Sequence, residues 1–287
     1  MRLRPPVVRL VPGNRVDASG PHAPPRTAVV TGAASGLGRA LADALVNDGW
    51  TVACVDLPDA IDRWTVASPP PPDRVLRLGL DVRDAAGWQA LHDRLRDEWQ
   101  SLDLLVNAAG VGATGEVGTL PESQWRRVID TNLVGTALGC ETFLPWLRAA
   151  RRRSHVVNVA SIAAVLAPPS MAAYAASKAG VVALSEAIAA ECPRRRPGVT
   201  IVCPGFFRSG LLDSWHFTSA VEQREAERRM AVTWWTSERV ARRVLRAIHL
   251  NHRYVVVGLT ARWLWRLKRL APRITTALVR GIYRRLR

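Results

Sequence analysis

The sequence predicts an α/β fold in which a parallel sheet is doubly wound by helices on both faces. Two observations carry this expectation. Short apolar runs recur at 28 to 30, 52 to 56, 75 to 80, 102 to 106, 155 to 160, 199 to 203 and 254 to 257, with helical stretches between them, and this alternation reads as crossover units on a parallel sheet. A chain of 287 residues, 48% of them hydrophobic, can also fill the core of one large domain with tails. Right-handed crossovers leave the carboxyl ends of the strands on one edge, where a ligand site belongs.

Taken in order, residues 1 to 25 contain Pro5, Pro6, Pro12, Pro21, Pro24 and Pro25 with Gly13 and Gly20, a composition that suits a disordered arm. The stretch Val7-Val8-Arg9-Leu10-Val11 is short, broken by charge and closed by Pro12, unlike a secretory signal, so a cytoplasmic location is expected. The expected folded domain spans 26 to 260. Its first strand, Ala28-Val29-Val30, runs into Thr31-Gly32-Ala33-Ala34-Ser35-Gly36-Leu37-Gly38, after which Leu41, Leu45 and Val46 mark one side of a helix. In such a unit the glycines let the backbone approach a pyrophosphate, which rests on free amides at the positive end of the helix. The next strand, Thr51-Val52-Ala53-Cys54-Val55, ends in Asp56, 18 residues beyond Gly38, where a carboxylate accepts hydrogen bonds from the adenosine ribose. Asp56 would repel a 2′-phosphate. Ser35 before Gly36 and Leu57 after Asp56 offer no compensating charge, so NAD is expected in preference to NADP. The run Pro69 to Pro72 reads as an extended surface insertion.

Farther along, Tyr174 is followed four residues later by Lys178, one of only two lysines among 40 basic residues. A four-residue step on a helix places both side chains on one face, where a compact ammonium can stabilise tyrosinate and pull a phenol of pKa about 10 toward neutrality. Arginine, with its rigid fork, fits such a relay less well.

Together these features resemble the short-chain dehydrogenase/reductase family over roughly residues 26 to 258. The motifs appear in order: Thr31 to Gly38, Asp81-Val82, Asn107-Ala108-Ala109-Gly110, Asn132, Ser161, Tyr174 with Lys178, and Pro204-Gly205. The resemblance implies a Rossmann-type domain. It also implies that Asp81 and Val82 border the adenine, that Asn107 to Gly110 end the fourth strand beside the cofactor, and that Pro204, Gly205, Phe207 and Ser209 border the nicotinamide. Serine at 209 keeps the hydroxyl of the threonine frequent there. Tyr174 is then the acid-base group, Ser161 the residue that holds the reacting oxygen, and Asn132 the support of a water linking Lys178 to solvent. A homodimer or homotetramer, built on the helices containing Asn132 and Tyr174, is also implied.

Substrate class is expected from a lid over residues 206 to 236. A connection of this length usually has its own role, and this one carries Phe206, Phe207, Leu211, Leu212, Trp215, Phe217, Met230, Trp234 and Trp235. With Ile162, Val165, Leu166 and Met171 they suggest an oily pocket for a lipophilic secondary alcohol or ketone of steroid, terpenoid or long-chain type. The competing expectation is that these aromatics pack the lid onto the body. His216 within the lid reads as a surface residue.

The net charge of +16 is unevenly placed. Residues 261 to 287 hold nine basic residues and no acid, residues 1 to 27 five against Asp17, and the remainder is nearly balanced at +3. No nucleic-acid reading motif accompanies the charge, and no nucleic-acid partner is expected. In the tail, Trp263, Leu267 and Leu270 share one helical face; after Pro272, Ile274, Leu278, Ile282 and Leu286 repeat the pattern beside Arg280, Arg284, Arg285 and Arg287. Basic helices with an apolar stripe suit peripheral attachment to an anionic membrane surface; packing on the core or on a second subunit is the alternative. Cys54, Cys140, Cys192 and Cys203 show no C-x-x-C spacing and read as reduced core residues. The six histidines lack metal-ligand spacing, and no metal is assigned. The expected function is NAD-linked alcohol oxidoreduction; the alternative is a non-catalytic NAD-binding sensor or scaffold.

Overall fold

In the computed structural model, which describes residues 25–62, 74–192 and 196–286, the strands are β1 (Thr27–Thr31), β2 (Thr51–Asp56), β3 (Val75–Gly79), β4 (Leu104–Asn107), β5 (Ala113–Thr114), β6 (His155–Val159), β7 (Gly198–Pro204), β8 (His216–Phe217) and β9 (Tyr254–Val257). Seven of them form an all-parallel sheet in the order β3-β2-β1-β4-β6-β7-β9, and the remaining two, β5 and β8, pair separately. The helices are α1 (Gly36–Asn47), α2 (Pro58–Asp62), α3 (Ala85–Glu98), α4 (Glu122–Ile129), α5 (Gly135–Ala149), α6 (Ala163–Leu166), α7 (Ala172–Glu191), α8 (Ala220–Val232), α9 (Ser237–Leu250), α10 (Leu259–Leu270) and α11 (Pro272–Leu286). The expected arm up to residue 24, the Pro69 to Pro72 insertion and the side chains of Ile282, Arg284, Arg285, Leu286 and Arg287 lie outside the described residues.

Strand periodicity builds the two cores. Successive side chains point to opposite faces of a strand, so Ala28, Val30, Val52 and Cys54 join a cluster with Leu37, Leu41 and Leu45 of α1 and Val240 and Val244 of α9. Val29, Ala53 and Val55 face the other way, onto Trp88 and Leu95 of α3, Phe143 and Leu147 of α5, and Ile188 of α7. A strand buried on both faces reads as an unbroken apolar run, which explains why the seven predicted runs match the seven sheet strands to within two residues at each end. The indole N–H of Trp88 donates to the Val82 carbonyl at 2.9 Å, so this large buried ring leaves no unsatisfied donor. All four cysteines are free and buried, as expected.

The strand order reverses between β1 and β4, placing the carboxyl ends of β1, β4, β6 and β7 along one edge. Above that edge stands the lid, which is more structured than a loop: it comprises a 3-10 turn at Gly210–Ser214, then β8 and α8.

Candidate active site

At the first βα junction, Thr31 joins two strand ends, its hydroxyl oxygen accepting from the amides of Ala108 at 3.0 Å and Ala109 at 3.1 Å. Gly36 adopts φ +55, and a Cβ on Gly38 would lie 2.2 Å from the Gly32 carbonyl oxygen, so both positions require glycine. Ser35 caps α1 by position without using its side chain, and the first turn holds no acidic residue. The positive helix end therefore remains available to an anion. Asp56 closes this turn, accepting from the Ala34 amide at 2.9 Å and from the Leu57 amide at 2.8 Å.

Asp81 is gripped by Arg83, whose Nε lies 3.0 Å from both carboxylate oxygens, and this contact holds the carboxyl below its ordinary pKa. Val82 packs on α5, near enough to Gly135 that a Cβ there would lie 2.8 Å away. Asn107 behaves differently from the expectation of a cofactor contact. Its Nδ2 donates to Asn158 Oδ1 at 2.8 Å, and Asn158 Nδ2 donates to Ser185 Oγ at 2.9 Å, so the Asn107 side chain ties β4 to β6 and α7 inside the protein. Only the backbone from Ala108 to Gly110 forms the rim.

Over that rim the remaining groups converge. Tyr174 and Lys178, one turn apart on α7, are both buried. A Cβ at Gly110 would stand 3.3 Å from Lys178 Nζ and 3.1 Å from Asn132 Oδ1, so the three residues meet there. The ammonium donates to the Val159 carbonyl at 2.9 Å and lies 6.0 Å from the centre of the Tyr174 ring. Ser161, just past β6, accepts from the Ala163 amide at 3.1 Å, and its hydroxyl favours the ionised form of Tyr174. Asn132 sits in a π-helical turn, Asp130–Val134, that interrupts the run from α4 into α5. Its amide exchanges hydrogen bonds with Val111, each 2.9 Å, and donates to Ser177 Oγ at 2.9 Å. It thus bonds across to the rim and to α7 instead of to its own helix.

One expectation is reversed. Lys178 is expected to draw the phenol toward neutrality, yet burial pushes Tyr174 up to about 12, opposed only by the Ser161 hydroxyl. Burial likewise pushes Lys178 down to about 8. Desolvation dominates both shifts, because the ammonium is directed at Val159 and neither charge is favoured in an apolar shell.

The lid supplies the outer wall. Trp215 rests on Tyr174, and a Cβ at Gly112 would lie 2.1 Å from its indole. A cleft of about 890 Å³ runs from Ser209 to α8, lined by Arg208, Leu212, Trp215, Gln223, Glu227 and Met230 among others. Of the expected oily lining, Phe207 and Trp235 instead pack against the core, and Phe206 and Trp234 are exposed. Ser209 Oγ is buried without a partner among the described residues, and Ser209 Cβ lies 3.5 Å from the Cβ position of Gly36. Gly205, after Pro204, donates its amide to the Val257 carbonyl at 3.4 Å. His216 is half-buried and acts through its backbone, donating to the Gly112 carbonyl at 3.0 Å.

Two anchors had no sequence signal. Arg127 Nη2 donates to the carbonyls of Gly112 at 3.1 Å and Ser214 at 3.0 Å, tying α4 to the lid. Tyr283 of α11 bonds Ser170 at 3.0 Å and donates to Glu116, so the C-terminal helix braces the loops flanking the site.

Comparison with known proteins finds similar chains and folds. The family model described as short chain dehydrogenase matches residues 26–218. The Probable oxidoreductase EphD of Mycobacterium tuberculosis is 34% identical over 194 residues, which are 66% of this chain and 32% of that protein, so the match spans about a third of the relative's length. D-threitol dehydrogenase of Mycolicibacterium smegmatis is 38% identical over 181 residues, 62% of this chain and 69% of that protein. Among solved structures, a short chain dehydrogenase/reductase from Burkholderia phymatum in complex with NAD has a TM-score of 0.81 and 28% identity, covering 87% of this chain and 95% of its own.

Proposed function

The chain belongs to the short-chain dehydrogenase/reductase family, and from that premise we propose that it transfers hydride between NAD and a lipophilic secondary alcohol or the corresponding ketone. The observation that carries this reading is the meeting of Lys178 and Asn132 at Gly110, with the buried Tyr174 ring one helical turn from Lys178 and 6.0 Å from its ammonium. The residues present suit a dinucleotide. Gly32 to Gly38 and the start of α1 would hold its pyrophosphate, Asp56 its ribose and Asp81-Val82 its adenine, while the unpartnered Ser209 hydroxyl would face the nicotinamide. When bound, the oxidised dinucleotide supplies the hydride acceptor and a positive ring charge. NAD is favoured over NADP because the Asp56 carboxylate would repel a 2′-phosphate.

In alcohol oxidation the Tyr174 oxygen takes the hydroxyl proton, and Ser161 donates to the reacting oxygen to hold it in line. Lys178, which meets Asn132 at Gly110, would pass the proton outward. In ketone reduction Tyr174 donates the proton instead. Around the phenol lie Ala113, Leu120, Val128, Ala163 and Ala173, with Met171 and Trp215 against them. An apolar shell of this kind suits a lipophilic body next to the reacting carbon, while Arg208, Gln223 and Glu227 make the outer cleft polar. The name of the mycobacterial relative denotes a small polyol, so the lid, not the relative, is the basis for the substrate class proposed.

The test is cofactor reduction with NAD against NADP over secondary alcohols of graded size and polarity. We expect NAD to be preferred and rate to rise with apolar size; preference for small polyols would overturn the substrate class. Replacing Tyr174 by Phe should abolish turnover and keep NAD binding. A cellular role that survives this replacement would favour the non-catalytic sensor, a reading to which the Trp215 indole over Tyr174 gives some support.

A further inference from the structure

We propose that the outer face of the α10–α11 hairpin docks on an anionic lipid bilayer. Each helix spends one face on the protein. Ala261 is buried and Trp265 half-buried, the latter tilted against Tyr254 with their ring centres 5.6 Å apart, and on α11 Thr275 is fully buried while Tyr283 reaches Ser170. The opposite face is apolar yet turned outward: Leu259 is 81% exposed, Trp263 66%, Leu270 86%, Ile274 57% and Leu278 47%. At 100° per residue, Leu259, Trp263 and Leu270 fall within one narrow sector of α10, and Ile274 and Leu278 are one turn apart on α11. Among the described side chains of the face expected from the sequence, Leu267 alone is half-buried.

Exposed arginines flank both stripes: Arg266 beside the first, Arg273 and Arg280 beside the second. The whole segment from 261 to 287 has nine basic residues and no acid. An apolar stripe with an interfacial tryptophan and a purely cationic border complements a surface that is oily beneath and negative at its headgroups. No described helix is long and apolar enough to cross a membrane, so the hairpin lies in the interface. Docking also brings the lid near that surface, because Trp235 lies beside Gly258 at the start of α10 and its neighbour Trp234 is 63% exposed.

The experiment is sedimentation of the full chain with phosphatidylglycerol/phosphatidylcholine vesicles and with phosphatidylcholine alone. The wild type should pellet with the anionic vesicles and stay in solution with the neutral ones. R266Q/R273Q/R280Q should lower partitioning by about a hundredfold, and W263S/L270S/I274S/L278S should also release the protein, with NAD binding retained in both as a check on folding. This readout is independent of turnover, so it stands or falls apart from the proposed chemistry. Absence of binding to anionic vesicles, or equal binding by the variants, overturns the proposal. So does a wild-type dimer that the serine variant converts to monomer in light scattering, because a second copy would then cover the face.

Discussion

The indole of Trp215 lies against the ring of Tyr174, their centroids 4.9 Å apart and their planes inclined by 49°. Trp215 comes from the lid and Tyr174 from α7, so this contact couples substrate access to the acid-base group. The indole N–H is buried without a partner among the described residues, which weakens the hold of the lid at this point. Replacing Trp215 by Ala should enlarge the cleft beside the phenol and raise kcat/KM for bulky alcohols relative to small ones by about tenfold, an effect worth about 1.4 kcal/mol. Steady-state kinetics over graded alcohols measures it; an unchanged ratio would remove Trp215 from specificity.

Asp56 offers a second test. Both carboxylate oxygens already accept backbone amides, from Ala34 and Leu57, which fixes the charge in place. Two like charges about 4 Å apart repel by about 1 to 4 kcal/mol between bulk water and a protein surface. Replacing Asp56 by Asn should therefore lower the preference for NAD over NADP at least about tenfold, seen as the ratio of cofactor kcat/KM values. A ratio unmoved by the loss of charge would exclude Asp56 as the discriminating group.

The features legible in the sequence are local or periodic. Buried parallel strands gave apolar runs, the glycine turn declared itself by spacing, and Tyr174 and Lys178 stand one helical turn apart. What escaped depends on distance along the chain or on burial. Arg127 meets Ser214 across 87 residues, and Tyr283 meets Ser170 across 113, with no pattern to announce either. The inward turn of Asn107 depends on Asn158, a partner one strand away. The upward shift of Tyr174 follows from the depth of the pocket, which no spacing rule conveys.

Stability should fall in mild acid through His155. The ring is buried at the start of β6 with Nε2 2.8 Å from Thr200 Oγ1, and Thr200 donates onward to the His252 carbonyl at 2.7 Å. Nε2 therefore donates to Thr200 in a neutral ring. Nδ1 faces Gly198, where a Cβ would lie 2.3 Å away. Burial, helped by the charge of Arg153, pushes His155 down from 6.5 to about 4. A base with a depressed folded pKa stabilises the native state fully above the unfolded value and loses that contribution as pH falls through the folded one. Between pH 6.5 and 4 the loss should reach roughly 3 kcal/mol. Urea denaturation at several pH values should show this extra loss in the wild type and not in H155Q; parallel curves would assign the acid sensitivity elsewhere.

Arg127 should govern the lid without touching the chemistry. Its Nη2 bridges the Gly112 and Ser214 carbonyls, and Gly112 also receives the His216 amide at 3.0 Å, so one guanidinium secures the segment that carries Trp215. Burial lowers its pKa, yet an arginine remains charged in a protein. Hydrogen bonds from a charged donor contribute about 1.5 to 3 kcal/mol each when buried and less where water competes. Replacing Arg127 by Ala should therefore speed proteolysis within 206 to 236 and raise the KM for alcohol by about tenfold, on the order of 1.4 kcal/mol. NAD affinity should stay constant, because the glycine turn and Asp56 are held by other bonds. Lysine at this position keeps the charge but not the Nε–H that anchors the guanidinium to Gln124 Oε1 at 3.0 Å, so R127K should restore only part of the KM. Equal cleavage rates in R127A and wild type would show that the lid is secured by β8 and the Trp215 contact instead.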